Sequence, residues 1–167
     1  MEIINRVAQS SLITLDLEEL VDYSNIIGYD LANDLENGFL LREKDFRKKL
    51  KLFNWEEYRG KDVYLHCSTD AIVPQWAYLL LSTYLTPVAN QIVLGSRERA
   101  LEAVGEKKID ELGLDAYRGA KIILKGCSAV PLSVYLRLQG RLQGFSSSLM
   151  YGEACSSVPL WKEKKSK

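Results

Sequence analysis

"YRGKDVYLHC" at 58–67 and "YRGAKIILKGC" at 117–127 are two versions of one phrase. Each opens on a Tyr-Arg-Gly turn, runs through a short β-prone stretch and stops at a cysteine. Further along, the two segments stay in step at an offset of 57. Val73-Pro74 corresponds to Val130-Pro131, Tyr78 to Tyr135, and Val93-Leu94-Gly95 to Met150-Tyr151-Gly152. Several matches in a fixed order point to two similar supersecondary units, 58–96 and 117–152.

Each unit reads as β–α–β. Strands are expected at 61–66 and 120–125, followed by Cys-Ser and then Val-Pro. Proline pushes its predecessor toward extended backbone and suits a helix's first turn, so helices are expected over 74–86 and 131–143. The first is apolar on most of its circumference and reads as buried, whereas Arg137 and Arg141 give the second a polar face. Strands at 91–94 and 147–151 close the units. A helix across 97–115 joins them, although Gly105 weakens it. Upstream, 11–17 reads as a strand and 41–53 as an amphipathic helix.

Alternating strands and helices predict an α/β fold: a single three-layer domain over 1–167 with a mostly parallel sheet, built around two duplicated βαβ units. The expected strand order is 91–94, 61–66, 120–125, 147–151. That order puts the two cysteine-bearing strands side by side at the point where winding reverses, the usual ligand crevice of such sheets. The charged end "WKEKKSK" predicts a flexible tail from about 162–167.

Composition narrows the function. The 22 Lys and Arg balance 22 Asp and Glu, so no charge excess marks a nucleic-acid or membrane surface. No signal-like leader or membrane-length apolar run is visible, and three widely spaced cysteines do not make a disulfide framework. The expectation is a cytoplasmic protein with reduced thiols. A homodimer fits the aromatic positions Trp76, Tyr78, Tyr84 and Tyr135, which read as core or dimer surface rather than a stacking platform.

The cysteines carry the chemistry. All three open a Cys-Ser…Val-Pro stretch, at "CSTDAIVP" 67–74, "CSAVP" 127–131 and "CSSVP" 155–159. Three thiolates suit zinc or iron, the latter as an iron–sulfur cluster. Cys67, Cys127 and Cys155 are the expected metal ligands, with Asp70, Glu153 or His66 completing the site. Ser68, Ser128 and Ser156 would donate hydrogen bonds to sulfur and so help bind the cofactor. His66 precedes Cys67 directly, so continued strand geometry would turn it to the opposite face. Glu98 is a further carboxylate candidate, in the position matching Cys155. Gly95-Ser96-Arg97 before a helix resembles an anion-binding turn, without a P-loop or dinucleotide fingerprint. CxxC pairs, the usual zinc spacing, are absent. Buried packing of the cysteines is the plain alternative.

"EIINRVA" at 2–8, "EKDFR" at 43–47, "CSTDAIVPQWAY" at 67–78, "KGCS" at 125–128 and "GEACSSVPLW" at 152–161 together resemble a bacterial domain-of-unknown-function family, number 2480. Ala154 stands where the family pattern has proline. The resemblance brings no activity and no catalytic residues. It implies an association with genes for iron–sulfur cluster assembly of the sulfur-mobilisation type, hence iron–sulfur assembly proteins as partners. Three readings follow: a metal-binding or sulfur-handling accessory of cluster assembly; a thiol enzyme with His66 or Asp70 as base; and a docking module with structural cysteines.

Overall fold

A computed structural model describes residues 12–164. Residue 11 of the first expected strand, the "EIINRVA" stretch and residues 165–167 of the expected tail lie outside the described residues. The chain is α/β and its strand pairing is mostly parallel. It divides into two compact units: 12–22 with 105–164, and 23–104.

In unit 23–104, the central strand β3 (Asp62–His66) buries Val63 and Leu65. It pairs in parallel with β2 (Ile26–Asp30) on one side and β4 (Gln91–Leu94) on the other. Helix α2 (Glu43–Leu52) contributes Phe46 and Leu50 to the core, and α3 (Gln75–Leu85) contributes Ala77, Leu81 and Leu85 at its i, i+4, i+8 positions. Leu79, on the opposite side of α3, is 68% exposed, so this helix is amphipathic in place and not buried all round as expected. Rings of Tyr29, Phe53, Trp55 and Tyr58 pack together beside the core, with Trp55 Nε1 donating to the Leu50 carbonyl at 2.9 Å.

In the other unit the central strand is β5 (Lys121–Lys125), whose Ile122, Ile123 and Leu124 are all buried. Such an unbroken apolar run marks a parallel strand covered on both faces. Its neighbours are β1 (Leu12–Asp16) and β6 (Ser148–Tyr151), both parallel. Strand β7 (Val158–Lys162) pairs antiparallel with β6. Short helix α1 (Leu17–Leu20) follows β1, and α5 (Leu132–Leu142) connects β5 to β6, burying Val134, Tyr135, Leu138 and Leu142. Helix α4 (Arg97–Glu111) runs from one unit into the other with Gly105 inside it. It stops short of the expected 115, giving way to a 3-10 turn at Asp115–Tyr117.

One expectation is corrected. The expected order, with β3 beside β5 in one sheet, is replaced by two sheets, β2-β3-β4 and β1-β5-β6-β7. Both hydrogen-bonding edges of β3 are taken by β2 and β4, and both edges of β5 by β1 and β6, so neither has an edge left for the other. Near the end of the described residues, Trp161 and Lys162 belong to β7, and the Glu163 N–H donates to the Ser147 carbonyl at 3.0 Å.

Candidate functional site

Both sheets end their first strand on aspartate. Asp16 closes β1 and accepts from the Glu18 N–H at 3.0 Å; Asp30 closes β2 and accepts from the Ala32 N–H at 2.9 Å. This is N-capping by a short acceptor just past extended backbone. Register then sets each aspartate opposite the last residue of the central strand, Asp16 against Lys125 and Asp30 against His66. Cys67 and Cys127 emerge from those same central strand ends.

At the carboxyl edge of β3 and β4 lies a cavity of about 620 Å³, lined in part by Tyr64, His66, Cys67, Tyr78, Ser96 and Arg97. Strand β3 ends at His66, so alternation no longer applies at Cys67, and the two residues line the same cavity instead of opposite faces. The Cys67 thiol, half-buried, shares a hydrogen bond with Thr69 Oγ1 at 3.3 Å and also packs against the unit's core. The His66 ring stacks on Tyr64 at 5.2 Å. The Ser68 N–H donates to Asp30 Oδ1 at 3.0 Å, fixing the loop start to β2. Burial pulls the Asp30 carboxyl upward, but hydrogen bonds from Ser68 and the Ala32 N–H outweigh it and hold it below its ordinary value. Burial, then the neighbouring Cys67 and Asp30, pushes the Tyr78 phenol up. Gly95 takes φ 128°, a conformation suited to glycine, and delivers Ser96 and Arg97 to the cavity at the start of α4. No ion pair engages Arg97 among the described residues.

At the carboxyl edge of β5 the thiol is held differently. The Cys127 thiol donates to the Glu18 carboxylate, while the Ala129 N–H donates to Cys127 Sγ at 3.1 Å. Lys125 Nζ pairs with Asp16 Oδ2 at 2.6 Å, which lowers the Asp16 carboxyl and raises the Lys125 ammonium; Glu153 and Glu19 add to the second effect. Tyr135, buried on α5, donates to the Lys125 carbonyl at 2.9 Å. Cys155 is exposed in the β6–β7 connection, where the Ser156 N–H closes a turn on the Glu153 carbonyl at 2.9 Å.

The expected site residues are therefore distributed. His66, Cys67, Ser68 and Asp70 belong to one unit; Cys127, Ser128, Glu153, Cys155 and Ser156 belong to the other. Among the described residues no three His, Cys, Asp or Glu side chains form a group able to hold a metal ion. Ser128 and Asp70 are exposed. Glu98 lies in the first turn of α4, its carboxyl lowered chiefly by the Ser96 hydroxyl. The reading from sequence missed Glu18, Asp16 and Asp30. Asp-Leu after a β-prone run, in "TLDLEEL" and "GYDLAND", is a capping signal that marks both aspartates; nothing local marks Glu18 as a partner of Cys127.

Among the described residues no helix is long and apolar enough to cross a membrane. In comparisons with known proteins, the family model described as "Protein of unknown function (DUF2480)" matches residues 1–163. No curated protein and no solved structure matches the chain.

Proposed function

Since the chain belongs to that family of proteins of unknown function (DUF2480), we propose from geometry that Cys67 is the nucleophile of a small-molecule thiol site. One observation carries this: a single cavity is lined by Cys67, His66, Tyr78 and Arg97, and Arg97 is in no ion pair among the described residues. The cavity is an open groove of about 620 Å³, room for a small molecule laid against its wall. Arg97 selects a substrate with an anionic group beside the electrophilic atom, since a guanidinium binds carboxylate or phosphate by its planar fork. Sulfur handling in support of iron–sulfur cluster assembly, in the cytoplasm, is the setting that the family resemblance suggests. The three-thiol metal centre with zinc or iron draws no support from the described residues.

The two β–α–β segments are proposed to be a duplication. Supporting it are the shared order β3-α3-β4 and β5-α5-β6, and the offset of 57 between α3 and α5 and between β4 and β6. A capped aspartate also stands beside each central strand end.

Alkylation tests the Cys67 reading. Iodoacetate and iodoacetamide differ in charge, and peptide mass mapping reads each thiol separately. Cys67 should react faster with the anionic reagent than Cys155 does, and Arg97→Gln should abolish that preference. Protection of Cys67 from both reagents would assign it to packing alone. Metal analysis of anaerobically purified protein, with stoichiometric zinc or iron lost in Cys67→Ser, would restore the metal reading.

A further inference from the structure

We propose that the outer face of α3 is the contact surface of a homodimer, in which two copies of the chain lay this helix antiparallel against itself. The sequence around it is unusual in charge. From Ala71 through Ser96 no Asp, Glu, Lys, Arg or His occurs, in a chain that is 26% charged. A surface helix ordinarily carries charges on the side away from the core. Helix α3 buries Ala77, Leu81 and Leu85, and its far side shows Gln75, Leu79, Thr83 and Thr86 to solvent, with Ser82 half-buried. Just ahead of the helix, Ile72 is 95% exposed.

The hydroxyls of that face are already satisfied within the helix. Ser82 Oγ donates to the Leu79 carbonyl at 2.8 Å, Thr83 Oγ1 to the Leu80 carbonyl at 2.7 Å and Thr86 Oγ1 to the Ser82 carbonyl at 2.7 Å. Covering the face with an apolar surface leaves none of these three donors unpaired, so the desolvation cost that ordinarily keeps Ser and Thr wet is small. Gln75, Leu79, Ser82 and Thr86 recur at 4-3-4 spacing, which is the seam of two packed helices.

Size and charge decide the occupant. The bulky side chains of the face, Ile72, Gln75 and Leu79, stand toward its N-terminal end, and the small ones, Ser82, Thr83 and Thr86, toward its C-terminal end. An antiparallel second copy sets bulk against gap: Leu79 of each chain meets Ser82 of the other, and Gln75 meets Thr86. A two-fold axis between positions 79 and 82 makes each contact twice, as an isologous interface requires. Charge agrees, because a face that carries none brings no like charges together when it meets itself. The 11-residue helix is only about 16 Å long, so the contact falls short of the roughly 800 Å² per partner of a standard interface. The dimer is accordingly weak and reversible.

Sedimentation equilibrium of the full chain over a dilution series tests this. Wild type should rise with concentration from the monomer mass of 18.9 kDa toward twice that value. Leu79→Lys and Leu79→Glu each place like charges beside the two-fold axis, and each should weaken association on the order of a hundredfold. An equimolar mixture of the two variants should recover the dimer, which only a contact between copies at this position can do. Leu79 is 68% exposed, so neither charge enters the core, and circular dichroism checks the fold. Leu136→Lys, at a 61% exposed leucine on α5, should leave association as in wild type. A wild-type mass that stays at the monomer at every concentration would overturn the proposal, as would a dimer that Leu79→Lys leaves intact. So would a monomer that cosediments with phosphatidylcholine vesicles, which would assign the face to a lipid surface.

Discussion

Removing the two partners of Asp34 is the sharpest test of how the 23–104 unit is held together. The Asp34 side chain has no exposed surface and lies beside an apolar core. Tyr29 Oη, from β2, donates to Oδ2 at 3.0 Å. Lys49 Nζ, from α2, stands 2.5 Å from Oδ1 as an ion pair off the hydrogen-bond axis, and also donates to the Asn33 carbonyl at 3.1 Å. The carboxylate therefore ties the strand to the helix. Tyr29→Phe deletes one hydrogen bond to a charged acceptor, a loss of about 1.5–3 kcal/mol. Lys49→Met costs less, about 0.5–1 kcal/mol, because Lys49 is 43% exposed and water screens part of its attraction. Together they strand the carboxylate, and the double variant should lose more than the two single losses added, by about 0.5–3 kcal/mol. Urea unfolding followed by Trp55 and Trp76 fluorescence in a Trp161→Phe background reads this unit alone; Trp55 stacks on Tyr29 at 6.0 Å. Strict additivity, with each single loss under about 0.5 kcal/mol, would show that water reaches Asp34 and would refute the argument.

Two further outcomes concern the other unit. The hydrogen bond from Lys125, more than the Glu18 N–H and against a small burial penalty, holds the Asp16 carboxyl below its ordinary value. Its stabilisation is present above the unfolded value near pH 3.9 and is lost as pH falls through the lower folded value. Wild type should thus lose stability more steeply than Asp16→Asn below about pH 4, read as unfolding midpoints in an acid series; parallel curves would contradict the pairing. Truncation after Ser157 removes β7 and uncovers β6, so it should cost more than about 2 kcal/mol by Trp-independent circular dichroism. A change within about 0.5 kcal/mol would return the end of the chain to a solvated tail.

The central strands and the helices after them were legible because their signals are local: a turn, an apolar run, a cysteine and a proline. Which strands pair was not. Strand β2 is only "IIGYD", with Gly28 in its middle, and its place beside β3 depends on an edge that no periodicity displays. With β2 unread, β3 kept a free edge and the single sheet followed. The third cysteine phrase misled for a related reason. Val130-Pro131 opens α5, whereas Val158-Pro159 lies inside β7, where Pro159 faces Met150 beside a register shift. Proline is tolerated at an edge strand as well as at a helix start, so the same letters serve two structures.

One inserted residue separates the two thiols. Cys67 follows β3 directly, whereas Gly126 intervenes between β5 and Cys127. A Cβ at Gly126 would lie 2.6 Å from the Tyr151 phenol oxygen, so a larger residue there would have to push that ring aside. The extra step carries Cys127 out to the Glu18 carboxylate beyond β1, while Cys67 stays with Thr69 of its own loop and the cavity wall. A repeated phrase thus ends in two different environments: a thiol beside a cavity also lined by Arg97, and a thiol hydrogen-bonded to an acid. Deleting Gly126 should consequently break the Cys127–Glu18 contact before it disturbs β5, whose ladder to β1 ends at Lys125. In the iodoacetamide assay with peptide mass mapping, that deletion should change the rate at Cys127 and leave Cys67 as it is, while the circular dichroism spectrum holds. A deletion variant that reacts at the wild-type rate would show that the loop, and not the insertion, sets the position of the thiol.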